Sequence, residues 1–158
     1  MGHDITIVDE KGKIIAETSI SGNFSDLSKD KIVTIDQFHG HNGRIISEMI
    51  LHTFTTLTRL GYITATLDKK NINWEWGLKK DGNKMTKDDF IEVYMYHLHR
   101  FLKLAVKYPN NVWQSDQVWN IISVDELIKQ NFLTEDSKKY MYDEKDNEEE
   151  NELMNSVD

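Results

Sequence analysis

The segment from Gly43 to Leu60 constrains the fold of this chain more than any other part of the sequence. Its apolar and threonine side chains recur at the spacing of an α-helix, about 100° per residue, and its charged side chains fall on the opposite face. Asn42 is suited to cap the start of such a helix, and Gly61 to cap its end. The predicted buried stripe consists of Ile46, Ile50, Thr53, Phe54, Leu57 and Leu60. A helix with such a stripe must pack against other elements.

A second long helix is predicted from Thr86 to about Lys107. The residues Thr-Lys-Asp-Asp at its start match the capping-box pattern, and Pro109 ends it. Its predicted apolar face consists of Phe90, Tyr94, Leu98, Phe101, Leu102 and Ala105. Shorter helices are predicted over residues 123–130 and 134–142, again behind hydroxyl residues that can cap them.

The N-terminal part of the chain predicts an antiparallel sheet. Residues 4–20 have the pattern of a β-hairpin, and Asp-Glu-Lys-Gly at 9–12 suits its turn, with Gly12 in the left-handed conformation. Residues 31–35 are predicted to form a third strand. Because two strands alone are marginal in water, we expect the sheet to pack on the helices. The predicted fold class is α+β: a small N-terminal antiparallel sheet (hairpin plus third strand) packed on two long amphipathic helices, with short C-terminal helices.

The segment between the two long helices is less regular. Residues 62–67 fit a short strand, and Trp74-Glu75-Trp76 alternates so that both indoles fall on one face. A second hairpin and a loop anchored by tryptophan both fit this pattern. Trp74 and Trp76 are candidates to stack on a ligand ring or to anchor a partner, and packing in the core is the alternative.

Charge divides the chain into a nearly neutral body and an acidic end. Of the net charge of −8, −7 lies in residues 143–158, which hold eight acidic side chains and one lysine. We therefore expect a single α+β domain over residues 1–142 and a flexible acidic tail over 143–158. Neither part has the basic face of a nucleic-acid-binding protein, and no apolar run approaches the ~18 residues of a membrane span. The absence of cysteine fits a reducing compartment such as the cytoplasm.

The segment from Asp36 to Gly43 contains two histidines directly before the first long helix. Side chains at i and i+2 of extended backbone point the same way, so His39 and His41 are predicted to face one ion. Zinc and other divalent metals accept two imidazoles and a carboxylate. The predicted metal ligands are His39 and His41 with one or more of Asp36, His3 and Asp4.

Two other interpretations of this segment remain open. His39 and His41 also fit loop residues that pack against the following helix, and Gly40 and Gly43 fit the sharp turns of such a loop. The same glycines leave room for a phosphate group at the start of the helix, where Arg44 would point towards the anion. The sequence alone does not choose among a metal site, a structural loop and a phosphate site.

Three short strings near the N-terminus form a recognisable pattern: Met-Gly-His-Asp-Ile at 1–5, Glu-Lys-Gly-Lys-Ile-Ile-Ala at 10–16 and Gly-Asn-Phe at 22–24. The pattern resembles the start of a group of small uncharacterised proteins from bacteria, phages and large DNA viruses. The resemblance covers the predicted hairpin and the residues just after it, and it implies no activity. It implies that His3 and Asp4 matter in this chain.

These features favour a non-enzymatic accessory or protein-interaction protein, encoded by a virus or a mobile element, that needs no cofactor. Exposed tryptophans and the acidic tail would be its contact points with a protein partner. The alternative is a metal-dependent hydrolase, with zinc or another divalent metal, or a protein that binds a small phosphate-bearing ligand. Either alternative would use the junction at His39 and His41.

Deleting residues 143–158 should leave the domain folded and weaken its capture of a protein partner, because the tail carries most of the net charge. Thermal unfolding followed by circular dichroism and a pull-down measure the two effects. A variant with Glu148→Gln, Glu149→Gln and Glu150→Gln keeps the length of the tail and tests the charge alone. Unchanged capture by both variants would exclude a role for the tail.

Overall fold

The computed structural model describes residues 2–62, 71–82 and 85–141, and these residues form a small sheet, a short hairpin and several helices. The elements in chain order are β1 (Gly2–Val8), β2 (Ile14–Ser21), a 3-10 helix (Gly22–Asp30), α1 (Ile35–Phe38), α2 (Gly43–Arg59), β3 (Ile72–Asn73), β4 (Leu78–Lys79), α3 (Lys87–Lys107), β5 (Val112–Ser115), α4 (Val124–Lys129) and a second 3-10 helix (Glu135–Tyr140). The α+β prediction is confirmed.

The main sheet has three antiparallel strands in the order β2-β1-β5. The β1–β2 hairpin closes as predicted, since Gly12 has a φ of 80° and the Asp9 carboxylate accepts from the backbone N–H groups of Lys11 and Lys13. Ile5 and Ile7 of β1 face the core. The third strand, however, comes from residues 112–115 and not from the predicted segment at 31–35.

The segment at 31–35 fails as a strand because a helix begins within it. Thr34 and Gln37 form a reciprocal capping box: the Thr34 side chain accepts from Asp36 N–H at 3.3 Å, and the Thr34 N–H donates to Gln37 Oε1 at 2.8 Å. Lys31 ends the preceding 3-10 helix in the left-handed conformation, with a φ of 64°. Ile32 and its neighbours are buried as a continuous apolar run instead of alternating between two faces.

The two long helices confirm the predicted periodicity. Asn42 caps α2 through a bond from Ile45 N–H to its side chain at 3.0 Å, and Thr86 caps α3. Met49 joins the buried stripe of α2, whereas Leu60 is 70% exposed because the helix ends at Arg59. The hairpin β3–β4 confirms the second-hairpin interpretation of the tryptophan segment.

The start of α2 lies directly against the end of α3. A Cβ atom built on Gly43 would lie 2.4 Å from the carbonyl oxygen of Ala105 and 2.5 Å from that of Tyr108. Only glycine permits this approach of two backbones. The two helices are therefore antiparallel neighbours locked at one end by backbone contact.

The C-terminal region is helical, as predicted, but in shorter pieces. Ser123 caps α4, and the last predicted helix is a 3-10 helix that ends at Tyr140 and not at 142. The predicted strand at 62–67, apart from its first residue, and the tail at 143–158 lie outside the described residues. Within the part that the structure describes, no helix combines the length and the hydrophobicity needed to cross a bilayer.

Replacing Gly43 by alanine should lower the free energy of unfolding by about 2 kcal/mol, because the added methyl group meets rigid backbone atoms of α3. Urea unfolding measures the change. Gly12→Ala is the matched control: that turn has open space around it, so only its left-handed φ opposes alanine, at about 1 kcal/mol. Alanine is the better helix former, so a Gly43→Ala protein as stable as the original would contradict the packing argument.

Candidate functional site

The segment from Asp36 to Gly43 is a sharp connection between two helices and not the predicted junction of a strand with a helix. His39 follows the last residue of α1, and Gly40 has a φ of 82°. A Cβ atom at Gly40 would lie 2.4 Å from the side chain of Ile121. The extended backbone that would make His39 and His41 face one ion is therefore absent between them.

The rings of His39 and His41 each form a hydrogen bond with a backbone group far away in the sequence. The ring of His39 accepts from Ser115 N–H through Nδ1 at 3.0 Å. The buried ring of His41 donates from Nε2 to the carbonyl oxygen of Ile122 at 2.6 Å. Burial lowers the pKa of His41, although the hydrogen bond to Ile122 opposes this effect. These bonds tie the α1–α2 connection to β5 and to the loop before α4.

The predicted metal ligands are not gathered into one cluster. Among residues 2–62, 71–82 and 85–141, no group of three or more histidine, aspartate or glutamate side chains is arranged to hold a metal ion. His3 lies opposite Ile20 in the hairpin, beside a small cavity near Tyr94, and Asp4 is exposed in a shallow groove beside Glu17. The arrangement gives no support to a metal centre at His39 and His41.

The start of α2 leaves no free donor for a phosphate group. Gly43 N–H donates to Asn111, Arg44 N–H donates to Pro109, and the next two N–H groups donate to Asn42. The Arg44 side chain donates to the side chain of Asn110 at 3.1 Å. The glycine at this position serves helix packing, and the helix start is already satisfied by the loop before β5.

Trp74 and Trp76, which the sequence marks as candidate contact residues, line a cavity that we call the aromatic pocket. It is an open cavity of about 420 Å³ between the end of β2, the turn of the β3–β4 hairpin and the middle of α3. Trp76 and Tyr96 are 40% and 49% exposed. The residues that line the aromatic pocket are Gly2, Ser19, Ile20, Ser21, Trp74, Glu75, Trp76, Tyr96, His97 and Arg100.

Residues 74–77, which we call the tryptophan turn, are held in place by hydrogen bonds and by packing on Phe90. Asn73 accepts from the backbone N–H groups of Trp76 and Gly77, and Asn23 donates from its side chain to the Trp76 carbonyl oxygen at 3.0 Å. Gly77 has a φ of 69°, and a Cβ there would lie 2.6 Å from the ring of Phe90. The turn therefore packs on the core, and the indoles of Trp74 and Trp76 line the aromatic pocket.

His97 joins the tryptophan turn to α3. Its Nε2–H donates to the carbonyl oxygen of Trp74 at 2.6 Å, while its Nδ1 accepts from the Arg100 guanidinium at 3.2 Å. This pairing fixes a neutral imidazole with both nitrogens in use. Burial lowers the pKa of His97, and the positive charge of Arg100 lowers it further. The sequence placed His97 at the edge of the buried face of α3, and it is buried.

Arg100 is the functional candidate that the sequence analysis missed. Its guanidinium donates to the Thr18 hydroxyl and to the Ser19 carbonyl oxygen, and its central carbon lies 4.7 Å from the centre of the Phe101 ring. Burial lowers the pKa of Arg100. One signal for it exists in the sequence: the chain has 19 basic residues but only three arginines, and this one lies one turn after His97, at the edge of the buried face of α3.

Comparison of the chain with protein-family models, with curated proteins and with solved structures found no match.

His41 and His97 should make the fold sensitive to acid. Their pKa values in the folded protein lie below the usual 6.5, so the unfolded chain takes up protons first as the pH falls. Stability that is fully present above pH 6.5 is then lost on acidification below it. We expect the free energy of unfolding in urea to fall from about pH 7.5 to about pH 5.5, and His41→Gln and His97→Gln each to reduce that slope. Parallel pH profiles for all three proteins would contradict this.

Proposed function

We propose that this chain is a non-enzymatic binding protein and that the aromatic pocket is its contact site. The observation that carries the proposal is the convergence of Trp74, Trp76 and Tyr96 on one open cavity of about 420 Å³. Indole and phenol rings supply large contact areas at a low cost in conformational entropy. Two of the three rings are substantially exposed in the free protein, so their burial by a partner would contribute to binding.

The chemistry of the pocket supports binding over catalysis. His97 is neutral and uses both ring nitrogens in hydrogen bonds within the protein, so neither is free to move a proton to or from a substrate. Arg100 is a permanent cation. The polar groups that line the pocket can hold a ligand in a fixed orientation.

Under this proposal the partner is a protein that the chain meets in the cytoplasm, and a virus or a mobile element is the source of the gene. The lack of cysteine supports a reducing compartment. Trp119, which is 89% exposed, and the acidic tail are secondary contact points under this proposal. The volume of the pocket also falls within the range of small-molecule sites, which supports a small ligand as the second candidate.

The proposal is tested by capture from a lysate of the cells that naturally make the protein, with quantitative mass spectrometry. Trp76→Ala and Tyr96→Ala each remove one exposed ring of the pocket, and we expect the Trp76→Ala variant to lose about tenfold or more of the specific capture. Tyr140→Ala removes an exposed aromatic ring outside the pocket and is the matched control. Equal capture by all three variants and the original protein would exclude the aromatic pocket as the contact site.

A further inference from the structure

The Arg100 guanidinium is a half-buried cation whose charge is not neutralised by any carboxylate of the described residues. Among residues 2–62, 71–82 and 85–141, no carboxylate oxygen lies within ion-pair distance of it. Its partners are a hydroxyl, a carbonyl oxygen and a neutral imidazole. A charge withdrawn from water without an opposite charge is costly, so an arriving anion would be favoured.

The same three partners fix the direction of the guanidinium. Thr18 and Ser19 hold it from the side of β2, and His97 holds it from its own helix, while the Phe101 ring lies against its face. Such a guanidinium loses little conformational freedom when an anion binds. Among the described residues, these bonds use one N–H of Nη1 and both of Nη2, so the Nε–H and the second Nη1–H remain to donate to an anion.

The rest of the aromatic pocket narrows the class of anion. Trp74, Trp76 and Tyr96 offer ring faces and edges to a planar group attached to the anion. Glu75 also lines the pocket and is exposed, so it repels a ligand that carries several negative charges. The ligand that fits therefore has an aromatic ring and only one negative charge. A carboxylate joined to an aromatic ring meets both requirements, whereas a phosphate dianion on such a ring carries one charge too many.

We propose that the aromatic pocket binds a monocarboxylate carried on an aromatic ring, with the carboxylate on Arg100 and the ring among Trp74, Trp76 and Tyr96. The inference rests on the proposed function, because it names the chemistry that the pocket recognises. Two sources provide this chemistry: a free aromatic acid, or a peptide that ends in an aromatic residue with a free C-terminal carboxylate.

Calorimetric titration of the intact protein with indole-3-acetate and with its neutral amide, indole-3-acetamide, tests the charge requirement without any mutation. We expect the acid to bind about tenfold more tightly than the amide, as befits a charge-assisted hydrogen bond. Arg100→Gln should abolish this preference. Arg59→Gln removes an equal charge from the exposed end of α2 and should retain it. Circular dichroism confirms that each variant is folded.

A short peptide ending in tryptophan, with a free or an amidated C-terminus, separates the two sources. Preference for the free-acid peptide over indole-3-acetate assigns a chain end, and the reverse assigns a small acid. Equal or undetectable binding of the acid and the amide in both pairs overturns the inference. Loss of capture on Trp76→Ala together with that negative result would leave the contact site standing and remove only the carboxylate. Unchanged capture would remove the proposed function itself.

Discussion

The burial of Trp113 is the interaction on which the rest of the structure depends. Its indole is fully buried, with ring centroids 5.6 Å from Phe38 and 5.9 Å from Phe101. Its backbone N–H and carbonyl groups bond to His41 and Gly40, and its strand pairs with β1. One residue thus joins the sheet, the α1–α2 connection and α3. Removing so large a ring from such a site costs several kcal/mol, typically about 3 to 5.

The aromatic pocket depends on the same packing through one further ring. The rings of Phe101 and Trp113 are nearly perpendicular, and Arg100 lies over the face of Phe101. From Arg100 the contacts continue to His97 and then to the carbonyl oxygen of Trp74 in the tryptophan turn. The wall of the pocket is therefore connected to the centre of the core by an unbroken series of contacts. This connection explains how a turn of only four residues between two-residue strands can be held in a defined position.

The sequence predicts the helices and the first hairpin well because their signals are local. The stripe of α2, its cap at Asn42 and the turn at Gly12 are each read from a few adjacent residues. The identity of the third strand is not local: β-branched residues at 31–35 have the better strand propensity, but pairing with β1 selects 112–115. Thr34-Ile35-Asp36-Gln37 also matches the capping-box pattern, which the prediction of a strand at 31–35 did not take into account.

The candidate site shows the same division between local and distant signals. Trp74 and Trp76 could be identified from their spacing, whereas the role of Arg100 depends on a bond to Thr18, 82 residues away. The histidines are the clearest case. Four of the six histidines form a hydrogen bond with a backbone group of another segment and so connect distant parts of the chain: His39, His41, His52 and His97. Nothing in the spacing of these histidines distinguishes such a structural role from that of a metal ligand.

The bond from Arg100 to Ser19 has a consequence for how copies of this protein meet one another. Strand β2 lies at the edge of its sheet, and such an edge presents backbone groups that can pair with a strand of another chain. Arg100 occupies the Ser19 carbonyl oxygen and places a positive charge beside it. The side chain that completes the pocket therefore also guards one end of the sheet edge.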